Sequence, residues 1–79
     1  MVKMIRTYSA EEVGATIKRI RLERGLTQKE LAKASAINKS NLSLIEKGGT
    51  NTSIGVLQRM CVVLGIKLSD FFKRVEDGR

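Results

Sequence analysis

Residues 26–46 read LTQKELAKASAINKSNLSLIE, and this stretch decides the fold. It predicts two short helices, at about 28–34 and 39–47, joined by a tight connection. The second helix carries small polar and basic side chains on its outer face. This layout is typical of a helix pair in which the second helix enters the major groove of DNA and the first braces it.

Three further helices flank this pair. One is predicted at about 10–24, a fourth ends at Gly65, and a short fifth contains Phe71 and Phe72. Apolar residues recur at three- and four-residue steps, so each helix turns one face to a core. The residues predicted to cap the five helices are Ser9 with Glu12, Thr27 with Glu30, Asn38, Ser53 and Ser69. The sequence therefore predicts an all-α fold of five helices.

A chain of 79 residues is long enough for one domain with one modest core. We expect a short N-terminal arm at 1–8, the helical domain at 9–75 and a frayed tail at 76–79. The arm mixes apolar and basic side chains, and Val2 to Ile5 could pair with a strand of a partner copy.

The composition favours a basic, soluble binding protein. Hydrophobic residues make up 42% of the chain, which is enough to fold. The net charge of +7 indicates a polyanion partner, of which nucleic acid is the commonest, although a basic surface kept for solubility is the alternative. Because no apolar run approaches the length of a membrane span and no signal peptide is apparent, we expect a cytoplasmic protein with no membrane partner.

The residue types argue against catalysis and metal binding. The chain has no histidine, and Cys61 is its single cysteine, so zinc sites and histidine-based acid–base chemistry are excluded. Cys61 lies among apolar residues at helical spacing, which favours a packed core thiol over a redox sensor. We expect no cofactor, no metal and no enzyme activity, since no nucleophile–base pair or phosphate-cradling loop is visible.

Four residues near the start of the second helix of the pair should face outward and read bases. Lys39 can donate to guanine, and Asn41 can pair bidentately with adenine. Ser40 can serve either base, and Leu44 can press on the methyl group of thymine. The alternative is a solvated polar face on an ordinary helix, but the outer face carries no acid before Glu46.

Polar and basic residues around this helix are suited to phosphate. They lie at the start of the first helix of the pair and beside and after the second, where the chain should meet the DNA backbone. The predicted phosphate contacts are Thr27, Gln28, Asn38, Ser43, Lys47, Thr50 and Asn51.

Residues 13–72 resemble the Xre/Cro/C1 helix-turn-helix family of prokaryotic and phage regulators, which contain lambda-repressor-like DNA-binding domains. The resemblance implies five helices, sequence-specific binding to double-stranded DNA and usually a symmetric dimer on a palindromic operator. The matching pieces are Val13-Gly14, Ile17-Lys18, Ile20-Arg21, Leu26–Gln28, Glu30–Ala32, Ile37–Ser43, Ile45-Glu46, Gly48, Leu57, Leu64–Ile66 and Leu68–Phe72.

The resemblance also implies roles for individual residues. It places Gln28 on a phosphate, places the four outward residues at base-reading positions, and pairs Arg21 with Glu46. Two departures from the family pattern are Thr52, where proline is frequent, and Ala36, where glycine is frequent in the turn. Leu44 also replaces a common polar or basic residue.

The fourth predicted helix is apolar on two sides. Its inward stripe is predicted to be Ile54, Leu57, Met60, Cys61 and Leu64. Val56 and Val63 then share an outer side, and two β-branched apolar residues are unusual on a solvated face. We expect them, with Phe72 or Val75, to pack against a second copy of the chain, with scattered surface hydrophobics as the alternative.

Two functions remain open at this point. The leading hypothesis is a homodimeric transcriptional regulator. The alternative is an antitoxin that binds and silences a partner toxin and controls its own operon, because Tyr8-Ser9 and Asn51–Ile54 also resemble the HipB kind of antitoxin within the same family.

Overall fold

The structure is a computed structural model that describes residues 8–79. Within this range the chain forms five helices and no strand, which confirms the predicted all-α fold. The strand suggested for Val2 to Ile5 lies outside the described residues. The helices are α1 (Ala10–Glu23), α2 (Gln28–Ala34), α3 (Lys39–Glu46), α4 (Ile54–Leu64) and α5 (Leu68–Asp77).

One core joins all five helices. Leu42 and Ile45 anchor α3 in it, and Phe71 fills its centre from α5 without exposure to solvent. Because α3 is held by its buried side, its opposite side stays open to solvent. The remaining core residues are Ile17, Ile20, Leu31, Ala32, Leu57, Met60, Cys61, Leu64 and Val75.

The backbones of α1 and α3 approach each other closely at Gly14. A Cβ atom at this position would overlap the carbonyl oxygen of Ile45 and lie 3.0 Å from that of Glu46. Only glycine has room for such an approach. The main chain of α1 therefore sets the depth of the C-terminal end of α3.

Local capping starts four of the helices as predicted. The side chains of Ser9, Thr27, Asn38 and Ser53 each accept a hydrogen bond from the backbone N–H three residues later. The prediction that Ser69 caps α5 is wrong. Lys67 holds the cap position without a side-chain hydrogen bond, and Ser69 lies inside the first turn.

The turn between α2 and α3 carries backbone strain at Ala36. Its φ of 59° lies in the left-handed region, which glycine adopts freely and alanine does not. An alanine held there costs about 1 kcal/mol relative to glycine. Alanine in place of the glycine that is frequent in this family therefore slightly lowers the stability of the fold.

The C-terminal residues pack against the start of the described chain. The expectation that 76–79 are frayed is wrong for Glu76 and Asp77, which lie in α5, and for Arg79, whose Nε donates to Glu12 at 2.6 Å. The Tyr8 hydroxyl also donates to Glu76. The hydrogen bond from Arg79, together with that from the Ser9 backbone, lowers the pKa of Glu12 to about 2.

Cys61 is a core residue, as its spacing indicated. It is 3% exposed and unpaired, and burial raises the pKa of its thiol, which makes it a poor nucleophile at neutral pH. In the range 8–79, no helix is both long and apolar enough to cross a membrane.

Candidate nucleic-acid interface

The start of α3 is held by a small hydrogen-bonded unit. The Oδ1 atom of Asn38 accepts from the backbone N–H of Asn41 at 2.7 Å and from the hydroxyl of Ser40 at 2.9 Å. Asn38 and Ser40 were predicted to contact DNA, and the structure gives both a capping role as well. The side chains of Lys39 and Asn41 make no such contact and lie exposed beside them.

The exposed face of α3 carries the four predicted base-reading residues. Lys39, Ser40 and Asn41 are exposed, and Leu44 is 47% exposed. The opposite side of the helix is buried in the core. The structure therefore brings the four side chains together on one open surface.

The only acid of α3, Glu46, points inward and is paired. Arg21 of α1 donates to it through Nε at 2.7 Å and through a second guanidinium nitrogen at 3.0 Å. The side chains of Arg21 and Glu46 are 8% and 2% exposed. This is the ion pair that the family resemblance implies, and its bidentate geometry locks α3 against α1.

Two further hydrogen bonds extend this pair to α2. Arg21 also donates to the backbone carbonyl of Leu26 at 2.9 Å, directly before α2. The amide nitrogen of Gln28 donates to Glu46 at 3.0 Å. Gln28, predicted to bind phosphate, thus links α2 to α3 in the free protein, a contact that the sequence analysis did not predict.

Thr27, Gln28 and Lys39 line one open cleft, together with Lys29 and the exposed Leu22. The cleft brings two predicted phosphate contacts at the start of α2 next to a predicted base-reading residue at the start of α3. A strand of DNA backbone lying in it would meet the ammonium groups of Lys29 and Lys39. Lys29 was not among the predicted phosphate contacts.

The remaining predicted phosphate contacts lie in and after α3. Lys47 and Asn51 are exposed, whereas Ser43 and Thr50 are half-buried. The hydroxyl of Thr50 donates to the Asn51 carbonyl in a long 3.4 Å contact. These residues follow the course of the chain as it leaves α3, where a second stretch of phosphates would pass.

A Schellman motif ends α3 and fixes this exit. Gly48, with φ of 78°, donates to the Ile45 carbonyl, and Gly49 donates to the Leu44 carbonyl, each at 3.0 Å. These two bonds satisfy carbonyls that the helix end would otherwise leave open. The direction of the loop that carries Thr50 and Asn51 is therefore set by the last turn of α3.

Arg59 of α4 holds the turn between α2 and α3 through a hydrogen bond. Its Nε atom donates to the backbone carbonyl of Ser35 at 2.9 Å, which joins α4 to the connection between α2 and α3. Sequence reasoning missed this residue, since a lone arginine in an apolar helix gives no indication of its partner.

One residue of the predicted dimer surface is wrong, because it is buried. Val75 is 3% exposed and belongs to the core, and Val56 and Val63 are half-buried and pack against that core. The exposed apolar residues of α4 are instead Ile54, at 58%, and Val62, at 81%. The prediction that Ile54 faces inward is wrong, because helical periodicity does not tell how far neighbouring helices extend over each end of α4.

Phe72 remains at the surface next to this region. It is half-buried, its ring lies 4.6 Å from that of Tyr8, and it lines a shallow apolar groove with Val13 and Ile54. Among residues 8–79 no cluster of histidine, cysteine or acidic side chains is arranged to hold a metal ion.

A short brace helix, a tight turn and an exposed second helix ion-paired to the rest of the domain define a helix-turn-helix protein. The helix-turn-helix family model matches residues 17–71. The chain therefore belongs to the helix-turn-helix family, which confirms the resemblance drawn from the sequence.

Individual relatives agree with this assignment. The chain is 35% identical over 63 residues to the HTH-type transcriptional regulator PuuR of Escherichia coli, a match covering 80% of this chain and 34% of PuuR. It is 42% identical over 57 residues to the immunity repressor protein of Bacillus phage phi105, covering 72% of this chain and 40% of the repressor. The chain thus spans well under half the length of these two relatives.

The fold also matches a solved structure. The clp gene regulator ClgR from Corynebacterium glutamicum superposes with a TM-score of 0.85 at 30% sequence identity. The match covers 87% of this chain and 73% of ClgR.

Proposed function

We propose that the protein is a homodimeric, sequence-specific transcriptional regulator that reads a palindromic operator with the outer face of α3. One observation carries this proposal: the only acid of α3, Glu46, is turned inward and neutralised by Arg21. The outer face therefore presents only neutral and basic side chains to DNA. The net charge of +7 supports the same partner, because DNA is a polyanion.

Substitutions on α3 and α2 should affect binding differently. Lys39→Ala and Asn41→Ala should each relax specificity at a defined operator position, since a good base contact discriminates by about 1–3 kcal/mol. Gln28→Ala should instead weaken binding to all sequences by similar factors, because phosphate contacts and the link to α3 carry no base information. Selection from random duplex DNA defines the operator, and affinities for singly mutated operators then measure the pattern.

Lys73→Ala is the matched control for Lys39→Ala, since it also removes one positive charge, from an exposed position on α5. It should leave the preference at every operator position unchanged. If Lys39→Ala, Asn41→Ala and Gln28→Ala all behave alike against the mutated operators, α3 is not the recognition helix.

The exposed apolar residues of α4 support a two-fold contact. Successive residues of an α-helix are turned by about 100°, so Ile54 and Val62, eight residues apart, lie only about 80° apart on one side. Phe72 continues this side through the groove it shares with Ile54. A two-fold contact is self-complementary, so one apolar strip serves both subunits and would set the recognition helices about 34 Å apart.

Ile54→Glu combined with Val62→Glu should give a folded monomer that binds the operator poorly, because each half-site would then be bound alone. Sedimentation measures the oligomeric state and circular dichroism the fold. Leu22→Glu is the control for the oligomeric state alone, since it places a negative charge on an exposed apolar residue of α1, 58% exposed, and should leave the dimer intact. A double variant that still sediments as a dimer would place the interface elsewhere.

The antitoxin alternative uses the same DNA-binding face, so binding to DNA does not separate the two functions. The separating measurement is purification from the native host. A stoichiometric partner protein whose toxicity this chain suppresses would favour the antitoxin, and a homodimer alone favours the regulator.

A further inference from the structure

Leu44 does not stand freely on the outer face of α3. Its side chain lies across the backbone of Gly49, the second residue after the end cap of the helix. A Cβ atom on Gly49 would overlap the Leu44 Cδ1 methyl group and lie 3.2 Å from its Cγ. The absence of a side chain at position 49 therefore allows this position of the leucine.

The Schellman motif explains why these two residues meet. The hydrogen bond of this motif that spans more residues joins the Gly49 N–H to the Leu44 carbonyl. A helix end with this motif therefore always brings these two positions next to each other. In many such motifs an apolar side chain at the position of Gly49 packs on the residue at the position of Leu44. In this protein position 49 has no side chain, so the contact is made by the Leu44 side chain alone.

Gly49 is not required by its own backbone conformation. The glycines of the described chain with positive φ are Gly25, Gly48 and Gly65, and Gly49 is not among them. A side chain at position 49 would therefore be compatible with the backbone and would collide only with the flexible end of Leu44. Gly48 differs, because a Cβ there would lie 2.8 Å from the Cα atom of Glu11.

We propose that Gly49 is a specificity-positioning residue, which sets where the Leu44 methyl groups meet the DNA. This inference rests on the proposed function, because it assumes that α3 enters the major groove. Gly49 itself touches no base. It acts by letting Leu44 lie flat against the helix end, so that the leucine meets a thymine methyl group at one fixed operator position.

The 5-methyl group of thymine can be removed alone by placing deoxyuridine in the operator. Scanning each thymine in this way should reveal one position per half-site at which the wild-type protein loses about fourfold in affinity, the value for one buried methyl group. Leu44→Ala should abolish this loss. Gly49→Ala should abolish it or move it to a neighbouring thymine, because the leucine is displaced.

The double variant provides the control. In a Leu44→Ala background, Gly49→Ala should have no further effect on the deoxyuridine profile, because the side chain it would displace is gone. If Gly49→Ala alone proves unstable in thermal unfolding, Leu44→Ala should restore stability by removing the collision. The preferences assigned to Lys39 and Asn41 should be unchanged in every one of these variants.

Two results would overturn the inference. One is a Gly49→Ala protein with the wild-type deoxyuridine profile; the other is a wild-type protein with no sensitivity to any thymine methyl group. In either case, specific binding to the selected operator would leave the proposed function intact. A wild-type protein that binds no DNA sequence specifically would instead contradict the proposed function and this inference together.

Discussion

Raising the salt concentration from about 50 to 200 mM should weaken operator binding by roughly 10³–10⁵, if a dimer makes about 6–10 phosphate contacts. Each contact releases condensed counterions, and their release becomes less favourable as salt rises. The chain offers basic and polar groups for these contacts on both sides of α3, including Lys29, Lys39 and Lys47. Titrations at four or five salt concentrations give the slope of log affinity against log salt.

Individual lysines should change that slope. Lys47→Ala should reduce it by about one unit for each subunit bound, because one phosphate contact is lost per subunit. Lys73→Ala, with the same change in net charge, should leave the slope unchanged. A nearly flat salt response of the wild-type protein would contradict the DNA-binding assignment.

Removing Glu46 should destabilise the fold by about 3–5 kcal/mol, because the charge of Arg21 is then left buried without its partner. This value for a buried ion pair applies because both side chains are almost fully buried, at 8% and 2% exposure. The remaining hydrogen bond from Arg21 to the Leu26 carbonyl does not neutralise the charge. Urea unfolding of Glu46→Ala at neutral pH measures the loss, which is a large part of the stability of a small domain.

A double-mutant cycle separates this pair from its surroundings. Arg21→Ala with Glu46→Ala should cost less than the sum of the two single variants, because neither charge is stranded. The exposed pair of Glu23 with Arg74, at 2.6 Å, is the control, and Glu23→Ala should cost far less than Glu46→Ala. A cycle for Arg21 and Glu46 without coupling would show that the pair does not hold α3 in place.

The helix starts were predictable where the signal is local. The capping residues Ser9, Thr27, Asn38 and Ser53 each bond an N–H three residues away, so residue type and spacing suffice. The start of α5 was not predictable in this way, because the side chain of its cap residue, Lys67, makes no such hydrogen bond. Near this start, Leu68 and Phe71 pack against the core, and such packing depends on residues far away in the sequence.

The candidate site divides in the same way. The outward direction of Lys39 and Asn41 follows from the buried side of one short helix, and the sequence shows it. The bond from Gln28 to Glu46 spans 18 residues and that from Arg59 to Ser35 spans 24, and both depend on how separate helices pack. Sequence patterns alone do not reveal such contacts.

The dimer surface shows the limit most clearly. The pattern of α4 indicated correctly that it carries more apolar residues than its own core face needs. It did not single out the most exposed ones, since Val62 is 81% exposed whereas its chain neighbour Val63 is half-buried. Only the position of the other helices distinguishes an apolar residue that they cover from one that they leave exposed.

The close approach of α1 to α3 at Gly14 has a consequence for how this protein could diverge. The depth of α3 is set by main-chain contact at Gly14, and its orientation by buried Leu42 and by the inward Glu46. None of these supports comes from Lys39 or Asn41. If Lys39 and Asn41 read bases as proposed, mutations that exchange these two side chains can change the preferred operator while the docking of α3 and the stability of the domain stay the same.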